Sequence, residues 1–310
     1  MWSIGELAEH AGVTVKTVRF YSDRGLLPEA ARSTGGHRRY GPRALDRLRL
    51  IRSLRTLDLP VPEVSRILDH EDPLEGALED AIARQLSDLG TQLAALRWRE
   101  AALRLLRDCG PEERADRLRL VGAVSTPPDT TALARFWRCA LPARLPARLV
   151  TAILEQAVPQ PPADPTPAQV LAFARLHALA SDPRLTGDRC RPESRRPDGT
   201  YRPDVLYDGL GEAYALASAD LRARRSPYEG DALDCFVAAH AASRGLRDTP
   251  AFRRELSGVL ALTADPLVGR YWQLTAELTA PPSGPPEPTM GAAHDWLRTA
   301  LDAQTAPGAH

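Results

Sequence analysis

No stretch of this chain narrows its fold as much as Val13-Thr14-Val15-Lys16-Thr17-Val18-Arg19-Phe20-Tyr21. Thr14 has the side chain of a helix N-cap, a hydroxyl that can accept from one of the otherwise unpaired first backbone N–H groups. Val15 and Val18 lie three apart on one face and are expected to pack inward. Lys16, Thr17 and Arg19 project elsewhere as hydrogen-bond donors. Just upstream, Ser3-Ile4-Gly5-Glu6 reads as a capping box that opens a first helix of about seven residues, with Leu7, Ala8 and Ala11 on its inner side. Gly12 ends that helix and makes the turn; Gly25 stops the second helix. Two short helices across a tight turn, the second apolar behind and donor-rich in front, form a helix-turn-helix whose second member suits the major groove of DNA.

The next segment has the pattern of a β-hairpin wing. Its turn is Ser33-Thr34-Gly35-Gly36 and its return arm His37-Arg38-Arg39-Tyr40. Arginines beside such a tip reach phosphate or the minor groove. Pro42 starts a third helix, Arg43 to about Leu57, with Leu45, Leu48, Ile51, Leu54 and Leu57 assigned to one face. Pro62 opens a fourth with Val64, Ile67 and Leu68 inward. The whole chain is formally neutral, yet residues 16–55 hold eleven basic side chains against three acidic ones. A basic patch on a neutral protein is the footprint of a DNA-binding domain joined to something else.

A long helix follows, from about Leu74 to Arg107. Ile82, Leu89, Leu96 and Leu103 recur every seven residues, and Leu86 and Leu93 lie four residues after the first two. This is a coiled-coil seam closed off by Glu79 and Glu100 in the same row, and it is expected to join two copies of the chain.

The order of these parts resembles the MerR family of transcription regulators. The resemblance is carried by Ile4-Gly5-Glu6-Leu7-Ala8, Gly12 to Tyr21, Gly25-Leu26-Leu27 and Gly36-His37-Arg38-Arg39-Tyr40, and covers roughly the first 110 residues. It implies a winged helix-turn-helix over 1–72 and an antiparallel dimerisation helix over 73–109. It also implies a homodimer on double-stranded promoter DNA that bends and untwists the site for RNA polymerase. The positions of Arg19, Tyr21, Arg38 and Tyr40 meet the DNA backbone in that family; with Thr14, Lys16, Thr17, Phe20, His37 and Arg39 they make up the candidate DNA-binding set. The family usually has tyrosine where this chain has Phe20, which removes one hydroxyl. Metal-sensing relatives place a cysteine pair where this chain has Cys109 alone, and one soft ligand cannot close a site. No metal or cofactor is expected.

Beyond Gly110-Pro111, read as a helix breaker, the chain is almost wholly helical. Candidate helices run over 129–141, 146–157, 166–181, 208–224, 227–244, 249–263, 266–279 and 289–304, giving a mainly α fold with an effector or interaction domain at 125–305. Gly187–Pro203 reads as a mobile surface loop. Thr166-Pro167-Ala168…Asp182-Pro183 is echoed 83 residues on by Thr249-Pro250-Ala251…Asp265-Pro266. Shared start and stop signals account for the echo better than a duplication.

The four cysteines, Cys109, Cys139, Cys190 and Cys235, form no C-x-x-C pair and read as reduced thiols of a cytoplasmic protein. No apolar run approaches a membrane span, and no signal-peptide pattern opens the chain. Phosphate loops, H-E-x-x-H and G-x-S-x-G are absent, so no enzymatic activity is expected. Relatives with large C-terminal regions bind small organic inducers there, and Trp137, Phe173, Tyr214, Phe236, Tyr271 and Trp272 are the candidate pocket aromatics. Large aromatics of an all-helical domain are more commonly core. One branch of the family captures thiopeptides through a pocket cysteine, a role open to Cys190 or Cys235. The alternative is a C-terminal protein–protein interaction module with no small-molecule ligand.

Overall fold

The computed structural model describes residues 1–69, 76–142, 145–183, 201–281 and 283–306. They form fourteen helices and one three-stranded sheet. The chain groups into two compact units, 1–92 and 93–310. The division falls inside the helix that the sequence reading sets apart as a segment of its own.

In the first unit, α1 (Ile4–Ala11) opens with the expected capping box: Ser3 Oγ accepts from the Glu6 N–H, and Glu6 accepts from the Ser3 N–H at 2.7 Å. Gly12 takes φ +64°, a left-handed conformation that glycine adopts without strain, and its N–H returns to α1 carbonyls. The chain can then turn at once into α2 (Val15–Asp23), capped by Thr14 Oγ1 from the Thr17 N–H at 3.1 Å. Val18 is buried as expected, but Val15 is exposed; Val13, in the turn, packs against the core in its place.

The wing is β2 (Ala31–Arg32) with β3 (Arg38–Tyr40), and β3 also pairs antiparallel with β1 (Trp2–Ser3). Two residues at the start of the chain thus complete a sheet that the hairpin pattern alone did not announce. Helices α3 (Pro42–Thr56) and α4 (Val61–Leu68) close the core. In α3 the buried residues are Ala44, Leu48, Ile51 and Leu54, while Leu57 is 54% exposed. Strict three-residue spacing drifts about 60° per step on a 3.6-residue helix, so a series from Leu45 to Leu57 walks off the buried face. Three arginines of the basic patch are structural. Arg47 donates to Leu26 O (2.7 Å) and Leu68 O (3.1 Å), Arg52 to Ala11 O and Arg55 to Leu59 O.

Helix α5 (Ala77–Arg107) runs through the division between the units. Its first turns are tied to α4 by Glu63, which accepts from Arg66 and from Arg84 Nε at 3.0 Å. Residues 70–75, where the sequence reading starts the helix, lie outside the described residues.

The second unit holds the rest of α5 and nine further helices: α6 (Pro111–Gly122), α7 (Thr131–Ala140), α8 (Ala147–Ala157), α9 (Pro167–Ala180), α10 (Pro203–Arg222), α11 (Asp231–Ser243), α12 (Pro250–Thr263), α13 (Pro266–Thr279) and α14 (Met290–Thr305). Eight match expected helices within a few residues. The ninth, α6, has no counterpart among the expected helices: Gly110-Pro111 does end α5, but Pro111 at the first helical turn followed by Glu112 and Glu113 is equally a start. One core gathers Trp98, Ala101 and Leu105 of α5 around Phe136, Phe173 and Tyr271. Another joins α10, α11, α12 and α14 around Phe236, Phe252 and Trp296. The 83-residue echo resolves into helix signals: Thr166 and Thr249 cap α9 and α12, and Asp265 caps α13 rather than closing α12. Of the expected loop at 187–203, residues 187–200 lie outside the described residues, and Pro203 already begins α10.

Glu63 is nearly enclosed, and hydrogen bonding by Arg84 with the charges of Arg66 and Arg84 holds its carboxyl below the usual 4.5. A lowered folded-state value stabilises above the unfolded value and is lost as pH falls through the folded one. Glu63→Gln should cost about 1 kcal/mol at neutral pH, lowering the melting temperature of the head by a few degrees. The gap to the parent should shrink below about pH 4; an unchanged gap down to pH 3 would contradict the ionic contact.

Candidate nucleic-acid interface and ligand cavity

Three side chains stand outward on successive positions of one α2 face. Lys16, Arg19 and Phe20 are exposed, Phe20 at 41%. Lys16 and Arg19 have no ion pair among the described residues. Arg24 lays its guanidinium over the Phe20 ring, 4.4 Å from the centroid. Thr14 and Thr17 bond to one another (Oγ1–Oγ1, 2.8 Å) as well as capping the helix, so their hydroxyls are partly committed.

The wing residues divide sharply. His37 is exposed at the tip and Arg39 half-buried beside it. Arg38 is held by Asp23 of α2 (2.6 Å) and Glu29 (3.3 Å), with the Asp23 hydrogen bond raising its pKa. This clamps the wing to α2. Tyr21 is buried, and Tyr40 is fully enclosed with its hydroxyl donating to Ser22 Oγ at 2.9 Å. Both rings therefore serve the core of the head, and Tyr40 has no surface to offer a partner as it stands. Of the candidate set, Thr14, Lys16, Arg19, Phe20 and His37 are exposed, and Thr17 and Arg39 are half-buried.

The expected seam of α5 is exposed along its whole length: Ile82, Leu86, Leu89, Leu93, Leu96 and Leu103 are between 39% and 64% accessible. Such residues are ordinarily buried when they recur on one helix face.

The second unit holds a cavity of about 650 Å3, partly open to solvent, among helices α7, α8 and α10–α14. Of the six candidate aromatics, Trp137, Tyr214 and Trp272 line it. Phe173, Phe236 and Tyr271 do not; each is fully buried in a core. The Trp137 and Trp272 rings lie 5.2 Å apart, tilted by 45°. Trp272 fits only because α14 has Gly291 opposite: a Cβ there would stand 2.1 Å from Trp272 Cγ.

Sequence reasoning missed the polar lining. Tyr214 Oη and His294 Nδ1 are hydrogen-bonded at 3.1 Å. His240 of α11 is 7% exposed and lines the same cavity; its Nε2 has no partner. The signal was there: His240 continues the buried stripe Ala232, Leu233, Phe236, Val237 of α11, and a polar residue on such a stripe calls for a partner. Burial, with the Arg244 and His294 charges, pushes His240 down to about 3. Burial also lowers His294 and raises Tyr214, while Tyr207 is pushed up to about 12. The Trp137 indole N–H lies near the Tyr271 hydroxyl without reaching hydrogen-bonding geometry.

Cys235 lies in a separate open groove with Arg148, Asp208 and Glu212. Burial and the carboxylates of Glu212, Asp231 and Asp234 push its thiol up, the reverse of an activated nucleophile. Cys190 lies outside the described residues. Cys109 is buried at the end of α5, its thiol donating to Leu106 O at 3.3 Å. Among the described residues no group of three or more His, Cys, Asp or Glu is placed to hold a metal, and no helix is long and apolar enough to cross a membrane.

Residues 2–71 match the family model described as MerR HTH family regulatory protein. The chain is 38% identical over 93 residues to nodulation protein NolA of Bradyrhizobium sp. (strain NC92), a stretch covering 30% of this chain and 38% of that protein. It is 48% identical over 68 residues to the HTH-type transcriptional activator TipA of Streptomyces coelicolor, 22% of this chain and 27% of TipA. The chain thus spans well under half the length of these two relatives. With the mercuric resistance operon regulatory protein of Bacillus cereus it shares 30% identity over 114 residues, 36% of this chain and 86% of that regulator.

Tyr40→Phe keeps the ring and removes the bond to Ser22. It should lower head stability by about 1 kcal/mol and leave duplex-DNA affinity within twofold by fluorescence anisotropy. Lost affinity at unchanged stability would give the hydroxyl a role outside the core.

Proposed function

Because the chain belongs to the MerR family of helix-turn-helix regulators, we propose that it is a DNA-binding transcription regulator acting as a homodimer on double-stranded promoter DNA. The observation that carries this is the outward face of α2, where Lys16 and Arg19 stand exposed without an ion pair among the described residues, beside a wing that Arg38 ties to Asp23 and Glu29. Helix α2 enters the major groove, and Arg19, Lys16 and the wing residues His37 and Arg39 meet phosphates on either side. Arg38 and Tyr40 act one step back, fixing the angle between wing and helix. The exposed leucines of α5 are covered by the same helix of a second copy, so that two heads face a two-fold symmetric operator. Bending and untwisting the spacer costs a few kcal/mol, set against phosphate contacts, and brings misaligned promoter elements into register for RNA polymerase.

The cavity favours small-molecule sensing over a purely protein-binding C-terminal unit. At about 650 Å3 it lies within the range of about 300–1,000 Å3 usual for organic ligands, with aromatic and aliphatic walls and a few polar groups. The signal sensed by this domain is therefore a small organic compound.

Arg19→Ala should weaken binding to specific and non-specific duplexes alike and reduce the slope of log affinity against log salt by about one. A loss confined to one sequence would argue for base reading instead. Leu89→Asp should sediment as a monomer; a persisting dimer would move the interface off α5.

A further inference from the structure

The cavity of the helical unit has one aromatic wall and one wall that is polar without being charged. Trp137 and Trp272 form the first. The second is His240, His294 and Tyr214, arranged around Phe236: its ring lies 4.7 Å from His240 and 5.7 Å from His294. Tyr214 and His294 satisfy each other. His240 is more than nine-tenths buried and its Nε2 has no partner, a situation buried polar atoms rarely keep unless a water or ligand completes it.

None of these three groups carries charge near neutral pH, because burial depresses both imidazoles and raises the phenol. The charged residues of the lining, Asp208, Asp265, Asp295 and Arg298, lie elsewhere; the three aspartates are exposed. Asp208 already pairs with Arg148 at 3.1 Å, and Asp265 accepts from the Leu267 N–H at 2.9 Å. Three carboxylates against one guanidinium disfavour an anion. A cation drawn into the aromatic interior would leave the exposed carboxylates for neutral side chains and for the repulsion of the Arg244 guanidinium that acts on His240, and desolvation penalises it further.

We propose that the cavity takes an uncharged, flat aromatic compound carrying an amide, hydroxyl or carbonyl group, with its rings against Trp137 and Trp272 and its polar group hydrogen-bonded to His240 Nε2. This identifies the ligand class for the sensing role proposed above and rests on that role. Either tautomer of His240 serves, since an amide offers both a donor and an acceptor. His240 is the specificity determinant: a site whose buried polar atom must be paired discriminates against isosteres that lack the partner.

Four compounds of one shape separate the possibilities in equilibrium dialysis against the full chain. These are 2-phenyl-4-quinolone (uncharged, N–H and C=O), 2-phenylnaphthalene (no polar group), 2-phenylquinoline-4-carboxylate (anion) and N-methyl-2-phenylquinolinium (cation). The quinolone should bind one per chain, at least fivefold more tightly than each of the others. His240→Leu should abolish its advantage over 2-phenylnaphthalene without weakening the hydrocarbon, which doubles as the check on folding, and His240→Gln should restore most of it. If the anion or the cation binds best, the uncharged class is wrong while the cavity remains a ligand site. If the quinolone's advantage survives His240→Leu, the anchor is wrong. If none of the four binds, the proposal falls together with small-molecule sensing, whereas duplex binding by the head stands or falls separately.

Discussion

A thirty-one-residue helix with apolar side chains on two faces has to cover both, and this chain covers only one of them. Along α5, Trp98, Ala101 and Leu105 are sealed into the core of the helical unit, with the Trp98 indole donating to Pro162 O at 2.9 Å and its ring edge-on to Phe173 at 5.5 Å. The leucines on the other side meet water. Removing apolar area from solvent is worth roughly 25 cal/mol per Å2, which is the driving force for the pairing of α5 proposed above. Everything proposed for the DNA-binding head presupposes that association, since a single short helix in one groove binds weakly and without register.

The head itself shows how a small domain spends its cations. Its arginine excess looks like one uniform patch, but Arg47, Arg52 and Arg55 satisfy backbone carbonyls, and Arg38 ties the wing to α2. Lys16 and Arg19 remain outward on α2, and Arg24, Arg32, Arg43 and Arg49 are exposed elsewhere on the head. Positioning and contact are thus divided between different arginines, and the division follows from where the unpaired carbonyls and carboxylates of the fold lie.

Local signals were legible wherever one residue type has one job. The Ser3 and Thr14 caps, the Gly12 turn and the buried Val64-Ile67-Leu68 face stand as read. Signals that depend on tertiary context were not. Val15 and Leu57 are as hydrophobic as their buried neighbours, and only the helix phase decides that they face out. Strand β1 is two residues long and exists because β3 is beside it. In the helical unit an aromatic residue carries no mark saying whether it will fill a core, as Phe173, Phe236 and Tyr271 do, or line a cavity, as Trp137, Tyr214 and Trp272 do. The decisive feature there is a glycine: Gly291 makes room for Trp272, and nothing near it in sequence announces that.

The division of labour that emerges joins a head with an outward cationic helix face, a stalk with an uncovered apolar side, and a helical unit with a neutral, aromatic cavity. The stalk decides whether these parts make a regulator, and the mass of the complex formed with a palindromic duplex of about thirty base pairs, read by sedimentation velocity, tests it most directly. The account predicts two chains on each duplex, formed without intermediate over a range of protein concentration. One chain per duplex, or no complex at low salt, would contradict it.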